Sequence, residues 1–457
     1  MTRAGSPSRD SAKLPRASLF DTLRASLGVL LPIVARGTIA RRPRVMALEE
    51  KLQTDDRGVR VLQHLRARYG PQPLRLRVFG RSVALVLSPD DVRRVLAESP
   101  EPFALANREK RGALSHFQPG GVLISHGGMR ADRRHLNETV LDADLPVHRL
   151  AGTMVSTIVE EGRLIGTGAG SAGRLGWDEF ITGWWRIVRR VVLGEAARDD
   201  HEITDVLTSL RSDANWSYLR PKRTRLRERF LRRLDAYLDV ADPATLAGLL
   251  ADTPAAAGIE PAHQVPQWLF ASDPAGMVTF RTLALLATHP EHAQRAREEL
   301  GGRDLSTPQD LPYLRACVLE SVRLWPTTPI ILRDSTVETT WTGGIVPART
   351  AFVILAPFFH RDEQTLPYAD RFEPEIWLDG RADNNPALVP FSAGPGACPG
   401  RNLMLYVSST LLATLIQRQD FQLTAPSPVD PPRALPRTLN NFALRFAVTP
   451  RDPAHHP

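Results

Sequence analysis

The sequence has few cysteines, few lysines and no long hydrophobic run. Its 457 residues include only two cysteines, Cys317 and Cys398, too few for a disulfide framework. The strongest candidate for a membrane segment, residues 27–35, contains Pro32 and is nine residues long, whereas a spanning helix needs about 20. The N-terminal stretch lacks the apolar core of a secretory signal. We therefore expect no transmembrane segment and a cytoplasmic protein, although residues 27–35 are compatible with lying along a membrane surface.

The chain carries an excess of positive charge, and most of its basic residues are arginine. The chain has 58 Lys and Arg against 50 Asp and Glu, a net charge of +8, and only four of the basic residues are Lys. Nucleic acid, an acidic membrane or an acidic protein partner would suit this excess, and a codon bias toward Arg explains it equally well. The densest basic run, residues 220–233, is typical of a solvated helix face, and no nucleic-acid-binding motif accompanies it. We expect no nucleic-acid partner.

No Gly/Ser linker or internal repeat divides the chain. We therefore expect a single large domain over residues 61–457, preceded by a lead-in over residues 1–60. The first residues of this lead-in, to about residue 16, are polar and basic, a composition that indicates disorder.

Local patterns predict a hairpin followed by helices. Residues 73–88 alternate apolar and polar side chains around Gly80, which indicates a β-hairpin, and Ser88 is placed to cap the next helix. Residues 130–300 are mostly helical in pattern. Four tryptophans of this region are expected in the core: Trp177, Trp184, Trp185 and Trp216.

Two later segments predict long helices that are informative about the fold. Residues 266–289 are apolar on nearly every side and form a helix about 36 Å long, which must cross the interior. Residues 311–324 form the second helix, with Asp310 as its cap and Pro326 as its end. A third helix, residues 399–416, and several short strands complete the pattern. The sequence thus predicts a mainly α fold with small β-sheets, of the α+β class.

One segment combines a cysteine with glycines and prolines. In FSAGPGACPG, residues 391–400, Gly394 and Gly396 allow a tight bend close to a flat ligand, and Pro399 suits the start of a helix. The positive end of that helix and its N–H groups are expected to lower the pKa of the Cys398 thiol. A buried cysteine beside a Gly/Pro turn is the plainer alternative.

This segment resembles the cysteine loop of the cytochrome P450 family. That loop reads Phe, two residues, Gly, three residues, Cys, one residue, Gly, and Phe391, Gly394, Cys398 and Gly400 all match it. The resemblance implies the cytochrome P450 fold and haem b with Cys398 as its axial thiolate ligand. Gly396 stands where the family often has Arg or His for a haem propionate, so that donor must come from elsewhere.

A second match is Glu320 with Arg323, three residues apart on one face of the helix ended by Pro326. The resemblance implies a structural ion pair that holds the loops on the haem side. Its third partner in the family is an Arg, but this chain has Ile376 at that place. Either Arg371 or a backbone group substitutes, or the pair stands alone.

Haem propionates require cations. By resemblance, Arg333 corresponds to the basic residue after the Glu-x-x-Arg helix, and Arg133 to the Arg of the family's Trp-or-His-x-x-x-Arg helix, with Met129 in the aromatic position. Arg134 is a near alternative to Arg133. Either Arg133 or Arg333 could instead be a surface charge.

The long apolar helix contains an incomplete match. Where the family has Ala/Gly-Gly-x-Asp/Glu-Thr, this chain has Asp273 followed by Pro274. The resemblance implies that Asp273 assists proton delivery to iron-bound oxygen, without the usual threonine hydroxyl. A salt bridge or surface exposure would also account for an acid in this helix.

The resemblance implies a haem-thiolate monooxygenase of the soluble bacterial type, acting on an apolar small molecule, as in secondary metabolism. Electrons would come from a ferredoxin-type partner, since no Gly-x-Gly-x-x-Gly motif follows a predicted strand. Two alternatives remain: a peroxide-driven or non-hydroxylating haem-thiolate enzyme that performs desaturation, coupling or rearrangement, and a non-catalytic haem-binding sensor.

Overall fold

A computed structural model describes residues 14–425, 429 and 434–451, and helices dominate that part of the chain. Most of the stretch expected to be disordered, residues 1–13, lies outside the described residues. The α-helices are α1 (Leu19–Ala25), α2 (Leu31–Ala35), α3 (Pro43–Leu52), α4 (Thr54–Tyr69), α5 (Pro89–Ala97), α6 (Arg108–Leu114), α7 (Gly127–Val140), α8 (Ala151–Ala172), α9 (Trp177–Leu193), α10 (His201–Ala214), α11 (Thr224–Asp239), α12 (Leu246–Asp252), α13 (Val265–Thr288), α14 (Pro290–Leu300), α15 (Pro312–Leu324), α16 (Ala356–His360) and α17 (Arg401–Arg418). The strands are β1 (Leu74–Leu76), β2 (Val83–Leu85), β3 (Phe103–Ala104), β4 (Arg174–Gly176), β5 (Ile330–Ser335), β6 (Thr339–Trp341), β7 (Gly344–Val346), β8 (Ala351–Leu355), β9 (Gln419–Ala425) and β10 (Arg445–Pro450).

The strands form three small sheets. The largest has the order β1-β2-β8-β5-β3, the second β4-β10-β9, and the third pairs β6 with β7. The predicted hairpin around Gly80 is confirmed, because β1 and β2 are antiparallel with Leu74 opposite Leu85. The predicted cap of the next helix is also confirmed, since the Asp91 N–H donates to Ser88 Oγ at 3.1 Å. The α+β class therefore holds.

The long apolar helix is α13, and it crosses the main helical core. Its side chains are buried over most of its second half, and Phe280 packs against Phe180 with ring centroids 4.7 Å apart. Trp177 and Trp184 are buried in the same core, as predicted. Trp216 is 44% exposed, so its predicted core position is wrong. The Arg42 guanidinium lies over this ring at 4.7 Å and covers one face of it.

Helix α15 has the predicted extent but not the predicted cap. Asp310 forms an ion pair with Arg315 at 3.1 Å and does not cap the helix. The carboxylate of Glu299, at the end of α14, instead accepts the N–H groups of Tyr313 at 2.7 Å and Leu314 at 3.0 Å. A carboxylate brought in by a neighbouring helix thus satisfies the free N–H groups, which a local pattern does not reveal.

The N-terminal helices belong to a second core. Val29, Ile33 and Leu65 pack together with Leu85 and Phe352 of the five-stranded sheet. Helix α4 continues across residue 60, the predicted boundary of the lead-in. Within the described part of the chain, no helix is both long and apolar enough to cross a membrane.

Candidate functional site

The cysteine loop precedes α17 and is folded back on itself. The Cys398 N–H donates to the Phe391 carbonyl at 2.9 Å, and the Ala397 N–H donates to the Gly394 carbonyl at 2.9 Å. Gly394 has φ +60°, and a Cβ there would lie 2.3 Å from the Leu96 carbonyl oxygen, so only glycine is tolerated at this position. A Cβ on Gly400 would meet open space, so packing within the chain does not require that glycine.

The Cys398 thiol lies in a recess that solvent reaches. The protein surrounding this recess desolvates the sulfur and raises its pKa, while the N–H of Gly400 and the charges of Arg134 and Arg401 act in the opposite direction. The prediction of a lowered pKa is therefore wrong for the free thiol, because desolvation outweighs the N–H donor and the helix end. A metal ion deprotonates a thiol that coordinates it, so the thiolate form depends on metal binding.

The second cysteine is unlike the first. Cys317 lies on α15 and is fully buried in the main core, where desolvation raises the pKa of its thiol well above the usual value. A buried thiol of this kind is a packing residue rather than a ligand or nucleophile.

Three cations meet at the edge of the cysteine loop. Arg130 of α7 donates to the Pro395 carbonyl at 2.9 Å, and Arg333 of β5 donates to Ser392 Oγ at 3.3 Å. The Lys110 ammonium of α6 donates to the carbonyls of Leu105 at 3.0 Å and Leu332 at 3.3 Å. Lys110, Arg130 and Arg333 are called the cation cluster below.

Positive charge in the cation cluster is not balanced by acids. Burial and then Arg130 lower the pKa of Arg333 to about 10, and burial and then Arg333 lower the pKa of Lys110 well below its usual value. The carboxylates that act on Lys110, Glu109 and Asp334, are both bound by Arg81, at 3.0 and 2.8 Å. The carboxylate that acts on Arg130, Glu138, is bound by Arg134. Among the described residues, none of the three cations forms an ion pair. A buried charge without a partner is costly, so the cluster is suited to an anionic ligand.

The cation cluster also accounts for Gly396. A Cβ at this position would lie 2.7 Å from both Arg333 Nη2 and Leu105 Cδ2. The Arg333 side chain cannot retreat easily, because its Nε is held by Ser99 Oγ at 3.1 Å. The guanidinium of Arg333 thus takes the space that a side chain on the loop would need, and it brings the cation that Gly396 lacks.

The residues present fit haem b. A reachable thiol on a glycine-rich loop suits the iron, and uncompensated cations at the edge of the same loop suit the two propionates. Arg333 contacts the cysteine loop through Ser392, and its role at a propionate stays a prediction. Arg133 instead donates to Ser125 Oγ at 2.6 Å, while its neighbour Arg134 donates to the Ala397 carbonyl at 2.6 Å. The propionate role of Arg133 stays a prediction.

The predicted scaffold pair is present and fully buried. Glu320 and Arg323 have zero exposed area, and two Arg323 nitrogens donate to the carboxylate at 2.6 and 2.8 Å. The guanidinium also donates to four backbone carbonyls between residues 360 and 371: His360, Tyr368, Ala369 and Arg371. Arg323 thus fixes the segment that leads toward the cysteine loop.

The third partner of the pair is not an arginine side chain. Glu320 accepts the indole N–H of Trp377 at 3.0 Å and the backbone N–H of Glu373 at 2.9 Å. Arg371 contributes its carbonyl only. Of the alternatives that the sequence left open, a backbone group is therefore the correct one, with the Trp377 indole beside it.

Asp273 forms an ion pair with Arg211 of α10. The Arg211 Nη2 lies 2.6 Å from Asp273 Oδ2 and also donates to the Ile39 carbonyl at 2.9 Å. The same guanidinium lies 5.0 Å from the centroid of the Phe270 ring. The carboxylate is thus held between α10 and α13, one turn away from Phe270.

Pro274 lies inside α13, and the helix continues on both sides of it. Proline has no N–H, so the carbonyl of Phe270 lacks its usual helical partner. Nearby, the Trp184 indole donates to the Ser272 carbonyl at 2.8 Å. A Cβ on Gly276 would lie 2.9 Å from this indole, so the glycine allows the close approach of α9.

Sequence reasoning missed four residues of this site. Lys110 and Arg211 have no local motif, although a lysine is rare in this arginine-rich chain. Arg130 is four residues before Arg134, so both lie on one face of α7, a spacing that sequence reading could have used. Trp377 directly follows Ile376, the departure that the sequence did reveal.

The comparisons with known proteins agree with this geometry. Residues 263–446 match the family model described as cytochrome P450. The chain is 31% identical over 191 residues to cytochrome P450 4c3 of Drosophila melanogaster, covering 37% of this chain and 34% of that protein. It is 37% identical over 143 residues to a cyclooctat-9-en-7-ol 5-monooxygenase of Streptomyces melanosporofaciens, covering 29% and 31%. A ferruginol synthase of Salvia pomifera is 34% identical over 174 residues, covering 36% and 38%.

These matches span about a third of the length of the curated relatives. The structural match is longer. A retinoic-acid-bound cyanobacterial CYP120A1 aligns with a TM-score of 0.69 and 20% identity, over 85% of this chain and 94% of that chain. At this identity the match establishes the fold alone.

Proposed function

We propose that this chain is a member of the cytochrome P450 family, supported by the match of residues 263–446 to that family's model and by the fold, and that it is a haem-thiolate monooxygenase that inserts one oxygen atom into an apolar small molecule. The supporting observation is the reachable Cys398 thiol on a loop whose edge carries the unbalanced cation cluster. Haem b bound through a cysteine thiolate activates O₂, because the sulfur donates electron density that favours O–O cleavage.

In this proposal one group of residues binds the haem iron and another binds the haem propionates. Cys398 would supply the sulfur ligand to the haem iron, and the Gly400 N–H, which donates to this sulfur, would temper the charge of the thiolate. Arg333, Lys110 and Arg130 bind the propionate carboxylates, and Arg133 joins them by resemblance to the family. Glu320 and Arg323 keep the segment between residues 360 and 371 in place.

Asp273 is the residue proposed to assist proton delivery. Arg211 holds one carboxylate oxygen, Oδ2, at 2.6 Å, which keeps the acid on the α10 side of α13. The turn at Pro274 has a carbonyl without a helical partner, and this carbonyl can accept a hydrogen bond from a water or from the substrate. Such a group would take the place of the missing threonine hydroxyl.

Two relatives suggest the substrate class. The Streptomyces enzyme acts on cyclooctat-9-en-7-ol, and the cyanobacterial structure holds retinoic acid. Both molecules are mostly hydrocarbon with one polar group. We therefore infer a hydrocarbon-rich substrate of secondary metabolism that carries a hydroxyl, amine or carboxylate near the oxidised atom.

Both of these relatives are bacterial, which favours a cytoplasmic enzyme of the bacterial type with a ferredoxin-type electron donor. Arg401 is exposed beside Cys398 and suits an acidic donor. Peroxide-driven chemistry is the second candidate, because Pro274 replaces the threonine that normally assists O₂ activation. Comparing turnover with peroxide and with reduced ferredoxin separates the two.

The test of haem-thiolate chemistry is the absorption spectrum of the reduced carbon-monoxide complex. Cys398→Ser should abolish the thiolate-type spectrum, and the matched control Cys317→Ser should keep it. A normal spectrum in Cys398→Ser contradicts the proposal.

The test of the proton relay is product formed per reductant consumed. Asp273→Asn should lower this ratio and release peroxide, whereas Pro274→Thr should raise it for substrates without a polar group. If Asp273→Asn couples as well as the wild type on such a substrate, Asp273 has only a structural role.

A further inference from the structure

The N-terminal helices expose an unusual row of large apolar side chains. Helix α1, a π-helical turn (Ser26–Leu30) and α2 follow one another without interruption. Arg24 is the only charged residue that is exposed between residues 19 and 35. The other exposed side chains of this segment are all large and apolar, each between 54% and 71% exposed: Leu19, Phe20, Leu23, Leu27, Leu31 and Val34.

The opposite side of this segment is fixed in the protein. Ala25, Val29 and Ile33 are buried in the second core, and the segment packs against α4. In an α-helix of 3.6 residues per turn, side chains four residues apart differ in direction by about 40° around the helix axis. A row of leucines at this spacing would therefore turn gradually around the helix. The π-helical turn is wider, with i→i+5 hydrogen bonds, and it offsets part of this drift. The exposed side chains therefore stay on one side.

A second exposed apolar element lies beside the first. Arg77, at the end of β1, donates from Nε to the Ala17 carbonyl at 2.8 Å and from its backbone N–H to Thr22 Oγ1 at 3.2 Å. The turn that follows leaves Val78 37% exposed and Phe79 fully exposed. Together with the six residues of the helical segment, Val78 and Phe79 are called the apolar face.

The exposed charges in the part of the chain that carries the apolar face have one sign. Residues 14–82 contain eight exposed Lys and Arg residues and no exposed Asp or Glu. Each acid of this region is buried or has a partner. Asp21 has zero exposed area, Arg36 binds both Glu49 and Asp55, Asp56 lies 3.0 Å from Arg60, and Glu50 accepts the Asn440 N–H at 2.8 Å. A large apolar strip in a region whose exposed charges are all positive is the pattern of a helix that lies in the interface of an anionic membrane.

We propose that the apolar face docks this protein on the surface of an anionic lipid bilayer, with the segment of residues 19–35 lying parallel to the membrane plane. A second copy of the chain is a poorer occupant, because an isologous contact would bring together two regions whose exposed charges are all positive. The proposal does not depend on the reaction that the haem site performs.

The experiment measures binding of the full-length holoprotein to vesicles. Phosphatidylcholine vesicles with and without phosphatidylglycerol are sedimented, and the bound fraction gives a partition coefficient. The wild type should bind the anionic vesicles, and more weakly as salt increases. Leu23→Ser combined with Leu27→Ser should weaken binding by at least about tenfold, since burying one leucine alone contributes about that factor.

Matched controls come from leucines that are exposed elsewhere. Leu164 and Leu378 are 51% and 46% exposed, and Leu164→Ser with Leu378→Ser should bind vesicles like the wild type. Because all four leucines are exposed, each variant should retain its haem spectrum. The proposal is overturned if the wild type ignores anionic vesicles, or if the Leu23/Leu27 variant binds as well as the wild type. It is also overturned if the wild type is a dimer in solution that the Leu23/Leu27 substitutions dissociate.

Discussion

Replacing Trp377 by Phe removes one of four hydrogen bonds that the buried Glu320 carboxylate accepts. Its other donors are two Arg323 nitrogens and the Glu373 N–H. Hydrogen bonds to charged groups contribute about 1.5–3 kcal/mol, and no water is expected to replace this one at a site with zero exposed area. Phe retains most of the apolar contacts of the indole. We therefore expect Trp377→Phe to lower the free energy of unfolding by about 1.5–3 kcal/mol.

Larger losses are expected from the pair itself. Glu320→Ala leaves a buried guanidinium without its anion, which costs about 3–5 kcal/mol. Arg323→Ala should cost at least as much, because four backbone carbonyls lose their donor as well. Unfolding in urea, followed by haem absorbance and tryptophan fluorescence, measures all three variants. Trp216→Phe is the matched control, because Trp216 is partly exposed and should leave stability within about 0.5 kcal/mol of the wild type.

A double-mutant cycle decides whether the indole acts through the carboxylate. The free-energy cost of Trp377→Phe is measured in the wild type and in Glu320→Gln. If the hydrogen bond at 3.0 Å is the cause, the two costs differ by about 1 kcal/mol or more. Equal costs, or a Trp377→Phe variant as stable as the control, would refute the reasoning that this indole replaces the family's arginine.

Two further predictions concern pH and haem retention. Burial lowers the pKa of His360 from 6.5 to about 3, so the unfolded state binds more protons between these values and stability falls as pH decreases through this window. The free energy of unfolding, measured in urea at both pH values, should fall by about 2–3 kcal/mol from pH 7 to pH 4.5. An equal fall in His360→Gln would contradict this prediction. Arg333→Ala should weaken haem binding about tenfold or more, measured as the transfer of haem to apomyoglobin. The control is Arg349→Ala, on an exposed turn, which should bind haem like the wild type. Equal haem loss from the two variants would show that Arg333 does not bind a propionate.

Patterns among near neighbours in the sequence predicted the local structure well. The hairpin around Gly80, the Ser88 cap and the extent of α13 depend on side-chain alternation, a capping hydroxyl and apolar periodicity, and the structure confirms all three. The cap of α15 failed for the opposite reason. Glu299 lies on a different helix, and only packing brings its carboxylate to the N–H groups of Tyr313 and Leu314.

The candidate site also has one part that local sequence predicts and one part that only packing brings together. The loop around Cys398 is encoded in ten consecutive residues, and its hydrogen bonds follow from its glycines. The cation cluster draws Lys110 and Arg130 from two helices and Arg333 from a strand that lies more than 200 residues further along the chain. No spacing rule joins such residues. The absence of a cation at Gly396 was the one local sign that another group had to supply the charge.

Gly396 and Arg333 show how a local departure is compensated in three dimensions. An arginine at position 396 would place its Cβ 2.7 Å from Arg333 Nη2, so the two cations exclude each other sterically as well as electrostatically. Arg333 is also anchored by Ser99 at its Nε and by Ser392 at its Nη2. The positive charge is thus carried by a strand residue instead of the loop, and the loop is left free to pass close to its ligand. The same exchange is seen at Glu320, where an indole from the segment after Ile376 supplies the donor that an arginine usually provides. In the proposed site both interactions are kept, and the residue that makes each of them differs from the one that the resemblance led us to expect.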